Sequence, residues 1–153
     1  MEHLYHWAHP GAADHDPLIA GKAGILNVLF FKIRVAVYFW IWIVLAWFFN
    51  RTSRAQDGNP DPALTRRMEV LSAPGIVLFA LSLNFAAFDL LMSLDPHWFS
   101  TIYGVYYFSS SVLLFFAVMP KILVWLQMQG LLKRAVTVEH YHDIGKFMFA
   151  FTV

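Results

Sequence analysis

The sequence of 153 residues contains no cysteine. Within the chain this excludes a disulfide framework, a thiolate zinc site and a cysteine-ligated iron–sulfur cluster. Charged residues are also scarce, at 14% of the chain compared with about a quarter in soluble domains. The formal net charge is +1, so the composition indicates neither a basic surface for nucleic acid nor an acidic tail. Glycine-rich phosphate loops and nucleophile elbows are missing as well.

Long apolar runs are what the sequence has in excess, since 59% of its residues are hydrophobic. The runs at 28–49, 70–94 and 95–121 are each long enough to cross about 30 Å of hydrocarbon at about 1.5 Å per residue. The chain becomes apolar again in 143–153, which predicts the beginning of a truncated fourth span. We therefore expect an all-α, polytopic transmembrane helical bundle with three complete spans, as a fragment of a larger bundle.

Lysine and arginine occur four times in 50–69 and three times in 129–146, which overlap the linkers 50–69 and 122–142, and they are missing from 95–100. Because basic residues accumulate in short cytoplasmic loops, we place both linkers in the cytoplasm. The N-terminal segment 1–27, with a short interfacial helix, and the link that begins at Asp95 then lie on the outer face. This orientation predicts an outer aromatic belt that includes two tryptophans, Trp7 and Trp98.

Three Asp-Pro pairs predict helix starts, because Asp is a favoured N-cap and Pro is favoured at the first helical position. The pairs are expected to begin, in order, the interfacial helix, the helix that enters the second span, and the third span. They are Asp16-Pro17, Asp61-Pro62 and Asp95-Pro96.

Asp89 lies inside the second span, where an ionised carboxylate near the bilayer centre costs about 2.5–3.5 kcal/mol. Ser82 and Ser93 share its helical face, so this face is expected to point into a bundle. Lys32 and Arg34 lie at a similar depth in the first span. Two interpretations stay open: a static ion pair of Asp89 with one of these cations, or a proton relay through Asp89.

Further ionisable groups lie near the predicted membrane boundaries. His97 is expected outside and can exchange protons near neutral pH, or is a surface imidazole. On the cytoplasmic side, a group beginning at Glu139 follows one helical face and could gather protons, pair internally, bind a lipid or a partner, or simply be solvated. Haem ligation is disfavoured, because the histidines lie at opposite faces. The proton-relay candidates are Asp89, Asp95, His97, His140, His142, Asp143 and Lys146.

Two strings carry a family resemblance: SAPGIVLFALSLNFAAFDLLMSLDPHWFSTIYGVYY at 72–107 and VTVEHYHDIGKFMFAF at 136–151. They resemble the ActF subunit of bacterial alternative complex III, a quinol:cytochrome c or quinol:acceptor oxidoreductase. HLYHWAHP at 3–10 and LNVLFFKIR at 26–34 resemble the matching upstream portion. That subunit is similar in turn to the NrfD-like membrane subunits of the polysulfide reductase type.

The resemblance implies a multi-pass subunit of the bacterial inner membrane that binds no redox cofactor itself and contributes polar half-channels for protons. It implies quinol on an NrfD-like sister subunit, and haem and iron–sulfur centres on a multihaem cytochrome and an iron–sulfur subunit. Membrane lipids are expected partners and nucleic acid is not. We assign no catalytic residue and no metal ligand.

Two other functions remain open at this point. The subunit could itself form part of a quinol-binding site, with His or Asp taking the protons released on oxidation. It could instead be a secondary transporter, whose solute site would require broken helices. The one sequence feature that hints at a break is Pro74-Gly75 in the second span.

Overall fold

The structure is a computed structural model that describes residues 3–58 and 61–152. Throughout these residues the regular elements are helices and no strand occurs, which confirms the predicted all-α class. Short 3-10 turns occupy His6–Ala8 and Met92–Leu94. The α-helices are α1 (Ala12–His15), α2 (Pro17–Lys22), α3 (Val28–Gly58), α4 (Pro62–Leu90), α5 (Tyr103–Met128) and α6 (Val138–Ala150).

Within the described part of the chain, three helices are long and apolar enough to cross a membrane: α3, α4 together with the following 3-10 turn, and α5. The shortest of them, α5, has 26 residues, which exceeds the approximately 20 residues that a span requires. The helix α6 has 13 residues, and the fourth span stays a prediction.

The helices extend beyond the runs from which they were predicted. α3 continues to Gly58 because the stretch after Phe49 contains no proline before residue 60 and continues the helical hydrogen bonding. α4 begins at Pro62, where the Asp61 carboxylate accepts a hydrogen bond from the Ala63 N–H at 2.9 Å. This confirms the second Asp-Pro prediction.

The prediction that Asp95-Pro96 begins the third span is wrong. α4 ends at Leu90, and α5 begins only at Tyr103. Asp95 is extended, and its Oδ1 accepts a hydrogen bond from the His97 N–H at 3.0 Å. Asp can close such a local turn as readily as it caps a helix, and here it closes the turn.

Residues 1–104 form one compact unit, within which α3 and α4 pack as an antiparallel pair. α4 is continuous through Pro74, so the predicted hint of a broken helix is not realised. Gly75 lies beneath Leu45 and Phe49, whose side-chain atoms would be 3.5 and 3.6 Å from an added Cβ. The register is visible in three further side-chain contacts, Arg34 to Asp89, Trp42 to Ser82 and Gln56 to Thr65.

The N-terminal segment builds a small aromatic core beside the beginning of α3. Trp7 is 5% exposed and packs against the rings of Tyr5 and Phe31, with centroids 5.5 and 5.3 Å away. The Trp7 ring is thus covered by protein, whereas Trp98 is 48% exposed, and the outer aromatic belt stays a prediction. Ile19 of α2 joins this core, and Asp16 caps α2 through the Leu18 N–H at 2.9 Å, which confirms the first Asp-Pro prediction.

Residues 105–153 form a second compact unit, in which α5 and α6 run antiparallel. Their contacts are Gln127 with Tyr141, whose hydroxyl donates at 2.9 Å, and two aromatic pairs. The Phe116 and Phe147 rings stack at 5.1 Å, and the Phe108 and Phe151 rings meet at 6.2 Å. Large rings therefore bridge the two helices.

The turn between α5 and α6 begins with a Schellman motif. Gly130 has a φ of 88°, and the Leu131 N–H bonds to the Leu126 carbonyl oxygen at 3.0 Å. Leu132 then has a φ of 57°, a left-handed conformation that costs a branched residue about 1–2 kcal/mol. The turn thus holds an exposed leucine in an unfavourable backbone conformation.

Gly104 is buried against Asn84 of α4, so a larger residue at this position should destabilise the protein. An added Cβ would overlap the Asn84 side chain, so we expect Gly104→Ala to destabilise the protein by about 1–3 kcal/mol. The measurement is thermal unfolding of the purified full-length protein. Gly145→Ala, where a Cβ meets nothing within 4 Å, is the matched control and should be neutral or slightly stabilising. Equal stability of the two variants would contradict the prediction, and Asn84→Ala should rescue Gly104→Ala.

Candidate functional site

The site is centred on Asp89, the penultimate residue of α4, whose exposed fraction is 8%. Arg34 reaches it from the second turn of α3. Arg34 Nε donates to Asp89 Oδ2 at 2.7 Å, and Nη2 donates to Oδ1 at 2.9 Å. The planar guanidinium thus satisfies both carboxylate oxygens, which is the bidentate geometry of the strongest ion pairs.

Tyr38 completes this cluster from one turn further along α3. Its hydroxyl donates to Asp89 Oδ2 at 2.7 Å. Arg34 in turn donates from Nη1 to the Ile25 carbonyl oxygen at 3.1 Å, and its guanidinium lies 4.4 Å from the centroid of Phe30. Sequence reasoning missed Tyr38, although its spacing of four residues from Arg34 places both on one helical face.

Lys32 was the other candidate cation, and the structure does not bring it to Asp89. Two residues turn an α-helix by about 200°, so Lys32 projects away from Arg34. Its side chain is exposed, and over residues 3–58 and 61–152 no carboxylate lies within 4.0 Å of it.

The two serines that were expected on the Asp89 face are both buried and bonded. Ser82 Oγ accepts from Trp42 Nε1 at 2.9 Å and donates to the Phe79 carbonyl oxygen at 3.0 Å. Ser93 Oγ donates to the Asp89 carbonyl oxygen at 2.5 Å. This face of α4 is thus polar and points at protein, with Ser82 fastening α4 to α3.

Asn84 is a feature that sequence reasoning missed. Its Oδ1 is buried, and within the described residues it has no hydrogen-bond partner. The same side chain lies against Gly104. An amide at this position interrupts an otherwise apolar stretch, and that was the available signal.

The N-terminal segment covers the end of α4. Three side chains of this segment donate to backbone carbonyl oxygens: one at the end of α4, where carbonyls lack intrahelical partners, one in the following 3-10 turn, and one in the link. Tyr5 Oη donates to Leu90 O at 3.1 Å, Trp7 Nε1 to Ser93 O at 3.0 Å, and Lys22 Nζ to Pro96 O at 2.5 Å. Burial, followed by repulsion from the Asp89 carboxylate, raises the pKa of the Tyr5 phenol above 10.0, so it stays a donor.

His97 joins the link to the N-terminal segment through Asp16. His97 Nε2 lies 2.6 Å from Asp16 Oδ2, and His97 Nδ1 lies 3.7 Å from Asp95 Oδ1. Partial burial acts to raise the pKa of Asp16, but the N–H groups of Leu18 and Ile19 and the His97 ring outweigh it, and the pKa lies below 3.8. Both relay candidates of the link are thus at the surface, with His97 half exposed.

A cavity of about 440 Å³ lies between the end of α2, the end of α4 and the link. Asp89 and Asp95 both line it, together with Lys22. Most of the remaining wall is apolar, from Ile25, Leu26, Phe88, Met92, Trp98 and Phe99. The Asp89 carboxylate is already bonded to Arg34 and Tyr38, and Lys22 to the Pro96 carbonyl oxygen, so the cavity is a mainly apolar space with Asp95 as the exposed carboxylate among its lining residues.

The candidates that were predicted on the cytoplasmic side lie in α6, and contacts among the described residues do not join them into one cluster. His140 Nδ1 accepts from the Thr137 N–H at 3.1 Å and thereby caps the helix. Lys146 pairs with Asp143 at 2.9 Å, whereas His142 is exposed. Among the described residues no group of three or more His, Asp or Glu side chains could hold a metal ion.

Removing the Arg34 cation should destabilise the protein far more than removing the Lys32 cation. Arg34→Gln leaves the Asp89 carboxylate buried without its cation, and we expect the folded state to lose about 3–5 kcal/mol of stability. The measurements are the yield of folded protein recovered from membranes and its thermal stability. Lys32→Gln removes one positive charge and no Asp89 contact, so it is the matched control and should resemble the wild type. Equal damage from both would contradict the pairing. The charge swap Arg34→Asp with Asp89→Arg should recover part of the loss.

The Asp16–His97 contact predicts a loss of stability in acid. Because the pKa of folded Asp16 is depressed below 3.8, its contribution is present above that value and is lost as the pH falls through the lower folded pKa. Limited proteolysis of the N-terminal segment as a function of pH measures this. We expect Asp16→Asn to be cleaved faster at neutral pH and to lose the acid transition. Asp14→Asn, an exposed neighbour, should keep it, and an unchanged transition in Asp16→Asn would refute the assignment.

Comparison of the sequence with known proteins assigns the chain to no family. No family model matches the chain, and no curated protein matches it either. The family resemblance therefore stays a prediction that rests on residue strings, and the site has to be interpreted from its own chemistry.

Proposed function

We propose that the chain is an integral membrane subunit of a respiratory quinol:electron-acceptor oxidoreductase of the alternative complex III type, in a bacterial inner membrane. It binds no redox cofactor itself and contributes to assembly and proton translocation. The observation that carries the proposal is the buried cluster of Arg34, Asp89 and Tyr38, because ionisable groups at membrane depth are costly and mark functional sites. Asp89 also belongs to the first of the two strings that resemble the family.

The contribution to assembly follows from the geometry of the cluster. A bidentate ion pair fixes α3 against α4, and Trp42 bonded to Ser82 supports the same register two turns away. The opposite face of α3 is apolar and open, with Trp40, Ile43 and Trp47 exposed by 65, 64 and 58%. This face suits lipid or the helices of a sister subunit.

The proposed partners are an NrfD-like quinol-binding sister, a multihaem cytochrome and an iron–sulfur subunit. These partners bring the redox centres that the complex needs. This chain would then supply groups that accept or release protons, with Asp89 at the cavity wall and with Asp95 and His97 toward the surface. A proton can pass through Asp89 only if the carboxylate exchanges its bond with Arg34 or Tyr38 during turnover.

The proton role is tested by Asp89→Asn in the intact complex, with electron transfer and proton release measured separately. We expect electron transfer to persist while the number of protons released per electron falls. Tyr38→Phe removes one hydrogen-bond donor and keeps the ion pair, so it tests the same path if Asp89→Asn prevents assembly. Unchanged proton stoichiometry in both assembled variants would refute the relay and leave the scaffold role.

The second candidate function is that this chain forms part of a quinol-binding site. The cavity beside Asp89 favours it. Its volume of about 440 Å³ falls within the range of small-molecule pockets, and its wall is largely apolar. Photolabelling of the complex with a quinone analogue separates the two candidates. Label on the cavity residues of this chain would support a quinol site here, and label confined to the sister subunit would exclude it.

A further inference from the structure

The unit of α5 and α6 carries a one-sided distribution of charge at its connecting turn. Between Val105 and Val138 the sequence has three basic residues, Lys121, Lys133 and Arg134, and no acidic residue. The side chains of all three are exposed. Lys146, by contrast, has its charge offset by Asp143. The turn, residues 129–137, is thus a basic tip, and in the predicted orientation it faces the cytoplasmic leaflet.

A groove on α5 lies beside this basic tip. Its volume is about 380 Å³. Trp125 and Met128 in its wall are 59% and 78% exposed, so the groove opens outward. The full set of lining residues is Pro120, Lys121, Val124, Trp125, Met128 and Tyr141. The groove thus combines one ammonium group, two aromatic side chains and an apolar wall. These groups match the phosphate, the headgroup region and the acyl chain of a phospholipid.

The depth of the groove agrees with a lipid occupant. α5 begins at Tyr103, and a span of about 20 residues from there reaches the level of Ile122. Lys121 and Trp125 therefore lie where the hydrocarbon ends and the headgroups begin. Lysine side chains at this depth extend toward phosphate, and tryptophan prefers the same layer.

The basic tip lies beyond the end of the hydrocarbon. Met128, the last residue of α5, is six residues past Ile122, which is roughly 9 Å along the helix axis, so residues 129–137 lie at the level of the headgroups. Lys133 and Arg134 can extend from this level to headgroup phosphate.

We propose that the α5–α6 hairpin binds an anionic phospholipid of the cytoplasmic leaflet at its basic tip. Lys133 and Arg134 hold the headgroup region, Lys121 bonds a phosphate from the groove, and an acyl chain lies along Val124 and Met128. The proposal is independent of the respiratory role, since it uses neither the Asp89 cluster nor any redox partner.

The test is native mass spectrometry of the full protein after purification from nanodiscs that contain phosphatidylglycerol and phosphatidylcholine. The wild type should retain phosphatidylglycerol preferentially. Each basic residue near the surface contributes on the order of fivefold to such binding, so Lys133→Gln with Arg134→Gln should lower retention by more than about tenfold, and Lys121→Gln by less. Lys146→Gln is the matched control and should retain lipid as the wild type does.

A second variant is a control for the backbone conformation of the turn. Leu132→Gly relieves the left-handed strain and keeps all three cations, so its thermal stability in detergent should equal or exceed that of the wild type and its lipid retention should be unchanged. Undiminished phosphatidylglycerol retention in Lys133→Gln with Arg134→Gln would overturn the proposal. The proposal would also be overturned if the double variant lost a copurifying protein subunit while its lipid retention stayed unchanged. That result would assign the tip to a subunit interface.

Discussion

The free energy of burying a carboxylate at membrane depth governs the first unit of this protein. Asp89 is tolerated there because Arg34 and Tyr38 supply three hydrogen bonds to its two oxygens. Those bonds require one register between α3 and α4, since a shift of one residue on either helix would turn the partners away by about 100°. The ion pair is therefore better understood as a device that specifies which faces meet than as a net source of stability, because desolvation offsets much of the attraction between buried charges.

The contacts at the end of α4 reflect the same requirement, namely that buried polar groups find hydrogen-bond partners. Past Asp89 the helix stops, and its last carbonyls lie where water is limited. The N-terminal segment supplies the Tyr5 hydroxyl to the Leu90 carbonyl of α4, and Trp7 and Lys22 donate to carbonyls of the following turn and link. Its aromatic core with Phe31 keeps the segment in place. The N-terminal segment and the buried pair are thus one structural unit, in which loosening the cover exposes the cavity beside Asp89.

Much of the fold is predictable from the sequence, because run length and hydrophobicity decide which segments span a membrane, and capping chemistry correctly located two of the three Asp-Pro helix starts. The third failed at Asp95, where a local turn competes with the cap for the same carboxylate. Spacing alone left Lys32 and Arg34 as alternatives, since the rotation of α3 about its axis depends on packing. Tyr38 and Asn84 went unnoticed because their importance comes from a neighbour that is distant in sequence, and the burial of Trp7 was not predicted for the same reason.

The separation of Arg34 and Asp89 by 55 positions also bears on how the protein is made. Arg34 emerges with the first span, and its partner follows 55 residues later, roughly 3–11 s at about 5–20 residues per second. Throughout that interval the guanidinium has no carboxylate, at a cost of about 2.5–3.5 kcal/mol at the bilayer centre and less toward the interface. The first span is apolar enough to cross a membrane by itself, but the face that it turns toward its neighbour is fixed only when the second span brings Asp89 to Arg34.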